Sequence, residues 1–213
     1  MAIEVVETKY VRILFDGARC IHSRNCVLSR PDVFVPNVEG DWVHPERASV
    51  AEIAELAHQC PSGAIRYEML GSNAREEEPP KVNVVRVREN GPLAFNGELA
   101  IKGEDPEYRA TLCRCGASAN KPFCDGSHVK WGFVASGEPP IKDSPALAKR
   151  NGTLHVTPTL NGPLHIEGPL EVVSGTGHTI GRGTDTWLCR CGHSANKPFC
   201  DGSHKRAGFT APG

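Results

Sequence analysis

The residues best suited to chemistry lie in two near-identical sixteen-residue segments, Cys113–His128 and Cys189–His204, which differ only at Ala117 and His193. Each reads Cys-x-Cys, then eight residues, Cys, three residues and His. Cys113 and Cys115 are close enough in sequence to chelate one metal centre. Cys124 and His128, four apart, share a face if a helical turn opens over Asp125–His128, and so can hold a second centre beside the first. Three soft thiolates and an imidazole suit zinc or an iron–sulfur cluster and suit magnesium or calcium poorly. Cys3His is also a structural zinc set. Zinc sites, however, usually carry Cys-x2–4-Cys, whose loop wraps one ion, whereas Cys-x-Cys with a distant Cys-x3-His suits two sulfide-bridged metals.

These residues resemble the signature of the CDGSH iron–sulfur (NEET) family. Ser118, Pro122 and Cys124–His128 fill that signature in the first copy, and Ser194, Pro198 and Cys200–His204 fill it in the second. The resemblance implies one [2Fe–2S] cluster per copy. Cys113 and Cys115 would hold one iron and Cys124 and His128 the other, and likewise Cys189, Cys191, Cys200 and His204. Family members with a single motif form intertwined homodimers, so a tandem chain is expected to build the same body as a monomer. A lone histidine ligand adds no charge and keeps a second ring nitrogen that can titrate. It implies a raised potential, proton-coupled reduction and acid-triggered cluster release.

The chain has 213 residues, room for one or two domains, with 24 basic and 25 acidic residues. That balance offers no electrostatic argument for nucleic acid or anionic lipid. The nine cysteines fall into three triads, Cys20, Cys26 and Cys60 joining the two above. This is ligand usage in a reducing compartment and not a disulfide framework. The N-terminus is acidic and lacks a signal-peptide pattern, and no apolar run approaches a membrane span. A soluble, cytoplasmic protein is expected.

The elements around the first triad are legible in order. Tyr10–Phe15 reads as a strand leading through Asp16-Gly17 into Cys20-Ile-His-Ser-Arg-Asn-Cys26. Val27–Arg30 fits one helical turn before Pro31, and Val33–Pro36 is extended. Ser49-Val-Ala-Glu52 is a capping box that opens a helix over Val50–His58, ahead of Cys60-Pro61. Ala64–Met69 returns as a strand. Over residues 9–70 this order resembles the small single-cluster bacterial ferredoxins, with Ser23 standing at a position that is cysteine in four-cysteine sites. Three cysteines suffice for a [3Fe–4S] cluster, and a [4Fe–4S] cluster would need a further ligand, with His22 or Ser23 nearest. A vacant or zinc-filled site is the alternative.

Gly71–Pro80 reads as a linker between a domain at 1–72 and a tandem unit at 80–213 (repeats about 80–136 and 150–213). In the second part Asn90-Gly-Pro-Leu93 recurs as Asn161-Gly-Pro-Leu164. Apolar runs flank each turn (Val82–Val87 and Leu99–Ile101; Leu154–Val156 and Leu170–Val173), and a Gly-Phe follows each metal loop. Ser136–Lys149 links the copies. The expected fold is α+β: a ferredoxin-like domain followed by a β-rich tandem unit, an intramolecular pseudo-dimer with both metal loops at one end. Asp125 and Asp201 stand where an N-cap would, Gly126 and Gly202 permit close backbone approach, and Arg114, Lys121, Arg190 and Lys197 add positive charge.

No nucleophile elbow, P-loop or dinucleotide fingerprint is present. The sequence therefore favours an electron carrier, not an enzyme, that exchanges electrons with a redox partner protein. The alternatives are a cluster-transfer or redox-sensing protein serving apo-acceptors, and a zinc-stabilised interaction module.

Overall fold

A computed structural model describes residues 3–71 and 77–213. Half of the expected linker, residues 72–76, lies outside the described residues. The chain divides into two compact units, Met1–Glu78 and Pro79–Gly213.

In the first unit β1 (Glu4–Glu7), β2 (Val11–Phe15) and β3 (Ile65–Met69) form an antiparallel sheet in that order. The short β1 was not anticipated; its only signal is Val5-Val6 between glutamates. Helix α1 (Asn25–Ser29) begins two residues before the expected turn and carries Cys26, and α2 (Val50–His58) covers the expected span. Ser49 and Glu52 exchange both capping-box hydrogen bonds, satisfying two of the orphan donors at the helix start. α2 turns Ile53, Ala54, Leu56 and Ala57 inward onto Val11, Ile13, Phe34 and Ile65, and Cys60 sits in the same core. Cys60 is therefore held by packing, Cys20 by the loop that β2 feeds, and Cys26 by α1.

The second unit holds β4 (Val84–Val87), β5 (Leu93–Ile101), β6 (Glu107–Leu112), β7 (Thr153–Pro158), β8 (Leu164–Val173) and β9 (Thr179–Leu188) in one six-stranded sheet. Each NGPL turn closes a hairpin, β4–β5 in the first repeat and β7–β8 in the second. The long strands β5 and β8 then change partners halfway. β5 pairs antiparallel with β4 through Leu93–Asn96, slips register, and runs parallel to β7 through Glu98–Ile101. β8 likewise leaves β7 after Glu167 and runs parallel to β4 through Glu171–Val173. The first strand of each repeat is thus paired on one side with its own repeat and on the other with the opposite repeat. Leu93, Phe95, Leu112, Leu154, Leu164, Ile166 and Leu188, from both repeats, are buried in one core. Neither repeat of about 60 residues could bury such a core alone.

Buried Asn83 ties the exchange together. Its amide donates to the carbonyls of Gly152 (2.6 Å) and Pro169 (3.1 Å), and its oxygen accepts from Glu98 N–H (3.2 Å). All three partners lie near the changes of pairing. No described helix is long and apolar enough to cross a membrane.

Candidate metal centres

Strands β6 and β9 deliver their repeats directly into Cys113 and Cys189. Each loop folds back on its own strand: Cys113 N–H donates to Pro122 (2.8 Å) and Cys124 N–H to Thr111 (2.8 Å), matched by Cys189 to Pro198 (2.7 Å) and Cys200 to Trp187 (2.9 Å). The signature residues do this closing. Ser118 Oγ donates to Phe123 O (2.6 Å) and accepts from Asn120 N–H (3.0 Å), and Ser194 repeats the pair with Phe199 and Asn196. Lys121 and Lys197 are tied back to the carbonyls of Ser118 and Ser194, so they brace the loops.

The result is two donor pairs per loop. Cys113 and Cys115 sulfurs are 3.7 Å apart and those of Cys189 and Cys191 3.8 Å. Cys124 Sγ lies 3.4 Å from His128 Nδ1, and Cys200 Sγ 3.6 Å from His204 Nδ1. Two sulfurs each about 2.3 Å from a tetrahedral metal stand about 3.7 Å apart, and a sulfur and a nitrogen about 3.6 Å apart. Each pair therefore has the bite of one metal position. Among the described residues no three His, Cys, Asp or Glu side chains converge on a single point. The donors of each loop therefore stand as two pairs and not as one set of four.

Two expectations need correction. The turn carrying each histidine starts later than expected, at Ser127 (α3, Ser127–Lys130) and Ser203 (α4, Ser203–Arg206). Its N-cap is Gly126 or Gly202, not the aspartate, because the chain passes there through φ +82°. The aspartates instead accept across the loop: Asp125 from Ser127 and Ala119, Asp201 from Ser203 and Ala195, at 2.8–3.0 Å. Burial raises Asp125, but these bonds outweigh it and hold its carboxyl low; backbone bonds led by Ser203 hold Asp201 lower still. A Cβ on Gly126 or Gly202 would meet no protein atom within 4 Å, and Gly202 N–H points at Cys200 Sγ (3.4 Å). Their left-handed φ is what calls for glycine. The close-approach glycines are Gly116 and Gly192, where a Cβ would stand 2.6 Å and 2.5 Å from the carbonyl oxygens of Cys191 and Cys115. There the two loops meet in an antiparallel bridge, Cys115 to Cys191. The CG dipeptide was visible in each loop; its partner in the other loop was not.

Arg114 and Arg190 are fully buried, each only 1% exposed. Arg114 donates to the carbonyls of Gly91, Arg88, Ala135 and Ser136, and Arg190 to those of Gly162, Thr159 and Pro212. Each guanidinium also lies over the phenylalanine of its Gly-Phe, Phe133 at 5.4 Å and Phe209 at 5.5 Å. The NGPL turns grip the same tails, through Asn90 to Ala135 and Asn161 to Ala211. This explains why turn, arginine and Gly-Phe recur together.

The first thiol of each pair is lowered to about 6 by the hydrogen bond from the second, which outweighs burial; the second is pushed well up by the same contact. Burial raises Cys124 to about 11 and lowers His128, favouring its neutral, ligating form. Backbone N–H groups of Ala117 and His193 point at the Cys115 and Cys191 sulfurs, both at 3.4 Å. His193 itself is exposed.

In the first unit Cys20, Cys26 and Cys60 line one cavity of about 700 Å³, together with His22, Ser23 and Trp42. Burial raises the Cys20 and Cys26 thiols. His22 Nδ1 is 3.9 Å from Cys20 Sγ, and Ser23 sits between two left-handed residues, His22 (φ 52°) and Arg24 (φ 65°). Three thiols around one roomy, largely apolar cavity fit a cluster better than an ion. All nine cysteines are free.

Comparison with known proteins finds two families along the chain. A family model described as iron-binding zinc finger CDGSH type matches residues 90–129 and 161–205. A second, described as divergent 4Fe-4S mono-cluster, matches residues 6–69. This is a tandem CDGSH iron–sulfur protein with an N-terminal mono-cluster domain. Two Escherichia coli proteins (strains K12 and O157:H7), both described as uncharacterized protein YjdI, are 34% identical to the chain over 58 residues. The match covers 27% of this chain and 74% of each of theirs. The matched segments include all three cysteine triads and both His128 and His204.

Proposed function

We propose that this tandem CDGSH protein is an electron carrier and not an enzyme, with a [2Fe–2S] cluster in each CDGSH loop and a third cluster in the N-terminal domain. The observation that carries the reading is the donor geometry: two pairs per loop, each with the bite of one tetrahedral metal, in loops that touch at Cys115 and Cys191. Cys113 and Cys115 would hold one iron of the first centre, and Cys124 with His128 Nδ1 the other. Cys189, Cys191, Cys200 and His204 would do the same in the second. Cys20, Cys26 and Cys60 would hold a [3Fe–4S] or [4Fe–4S] cluster, with His22 or Ser23 nearest for a fourth ligand. When bound, such clusters supply one-electron couples, and an imidazole in place of a thiolate raises their potential.

The reciprocal pairing of β4 with β8 and of β5 with β7 supports reading the tandem unit as an intramolecular pseudo-dimer that acts as a monomer. Its near-neutral charge supports a protein partner, an electron donor or an apo-acceptor of clusters, over nucleic acid or membrane, in a reducing, cytoplasmic setting. Iron and sulfide analysis and electron paramagnetic resonance (EPR) on anaerobically purified protein test the reading. Wild-type protein should give two [2Fe–2S] signals and one distinct signal, and Cys60→Ala should lose only the last. Stoichiometric zinc without iron would sink the proposal. Cluster delivery to an apo-ferredoxin faster than electron exchange would favour the transfer role.

A further inference from the structure

The two repeats are not alike on their outer surfaces. Each metal loop closes on the residue two before its first cysteine: Cys124 N–H donates to Thr111 O (2.8 Å), and Cys200 N–H to Trp187 O (2.9 Å). The two acceptors hold the same place in their repeats, yet Thr111 is 1% exposed and Trp187 44%. An indole presents a large apolar area, and leaving it in water forgoes the stabilisation of burying it. Trp187 is nevertheless held in one pose. Its ring lies flat on His165, with centroids 3.9 Å apart and planes 9° from parallel. His165 is fixed in turn, its Nε2 2.9 Å from Asp185 Oδ1 and its Nδ1 3.9 Å from Glu167 Oε2. Strand alternation puts all four on the outer face, because Leu164, Ile166, Thr186 and Leu188 between them are buried. Two cross-strand rungs make up the patch: Thr157, His165 and Trp187, then His155, Glu167 and Asp185. Neither rung carries a lysine or arginine, whereas the Glu167 and Asp185 side chains are 59% and 67% exposed.

We propose that this patch is the electron port of the second centre, where a basic redox protein docks. An aromatic anchor with charges at its rim is the usual anatomy of a protein contact, and the sign of the rim selects a partner of opposite sign. Resting on the electron-carrier reading above, docking here brings the partner to a side chain two residues from Cys189 and one backbone hydrogen bond from Cys200. One electron passes outward, so the protein is oxidised and the partner reduced, and no bond is made or broken. With buried Thr111 in the equivalent place, the first centre has no such port.

Cytochrome c, a strongly basic haem protein, serves as the probe. The reduced protein should reduce it, and Glu167→Lys with Asp185→Asn should slow that reaction about tenfold at low salt and much less at high salt. Trp187→Ala should slow it at either salt, and Trp187→Phe should restore most of the rate. Glu167→Lys alone alters only an exposed side chain and serves if another variant does not fold. Binding is read separately, without electron transfer, from the indole N–H resonances of the oxidised protein on adding ferrocytochrome c. Of the three tryptophans, Trp42, Trp131 and Trp187, only Trp187 should shift. Trp131 is the rival, 75% exposed and three residues from His128. A shift at Trp131 instead of Trp187, no shift at any, or rates unaffected by the Glu167 and Trp187 variants would overturn the proposal. Iron and sulfide content of the same samples separates the two levels. Zinc without iron refutes the carrier reading and the port with it, whereas loaded protein indifferent to these variants refutes the port alone.

Discussion

Replacing Asn83 by alanine should weaken the tandem unit out of proportion to the atoms removed. The side chain is fully buried and makes three hydrogen bonds, two to carbonyls and one from a backbone N–H. At about 0.5–1.5 kcal/mol net for each bond, the loss is about 3 kcal/mol. The two carbonyls and the N–H left unpaired in the core push it upward, because no water can easily reach them. A neighbouring change sets the scale. Leu154, equally buried and close to Gly97 in the other repeat's parallel pairing, should lose only about 1 kcal/mol as Leu154→Val. Urea unfolding of both variants at matched iron content, followed by far-ultraviolet circular dichroism, measures the difference. An unchanged slope with a lower midpoint for Asn83→Ala is expected. If Asn83→Ala costs no more than Leu154→Val, Asn83 does not hold the strand exchange together and the accounting above is wrong.

Three further outcomes follow from the same structure. The double variant His128→Cys, His204→Cys should keep its clusters and lower both of their potentials, since two thiolates add two negative charges; an unshifted titration would show that the histidines are not ligands. Gly116→Ala should cost about 3 kcal/mol or more and impair loading of both centres, because its Cβ would clash with the Cys191 carbonyl at a left-handed φ. Gly103→Ala, with a similar φ and open space around it, should cost only about 1–2 kcal/mol, and equal losses in the two would rule out the bridge as the cause. Finally, a fragment spanning residues 80–144 should dimerise or aggregate on sizing chromatography, since β4 and β5 lose their parallel partners β8 and β7; a stable loaded monomer would contradict this.

What was legible in the sequence is what depends on local spacing. The capping box at Ser49 and Glu52, the strands at Val11–Phe15 and Ile65–Met69, the repeated NGPL turns and the two Cys-x-Cys loops all act over short stretches, so side-chain type and separation nearly suffice to place them. The close pairing of Cys-x-Cys and Cys-x3-His side chains was legible for the same reason, since each spans at most four residues. Tertiary structure decided everything that needed a partner far along the chain. It set the exchange of β5 and β8 between repeats and the use of Asn83 to satisfy both bends. It buried Arg114 and Arg190, which composition alone would put at the surface, and it gave Gly116 and Gly192 their role against Cys191 and Cys115. The strand exchange, the Asn83 bonds and the loop bridge join residues about 55–90 positions apart, a separation at which no local propensity acts; only closing one core over two halves too small to fold singly brings them together.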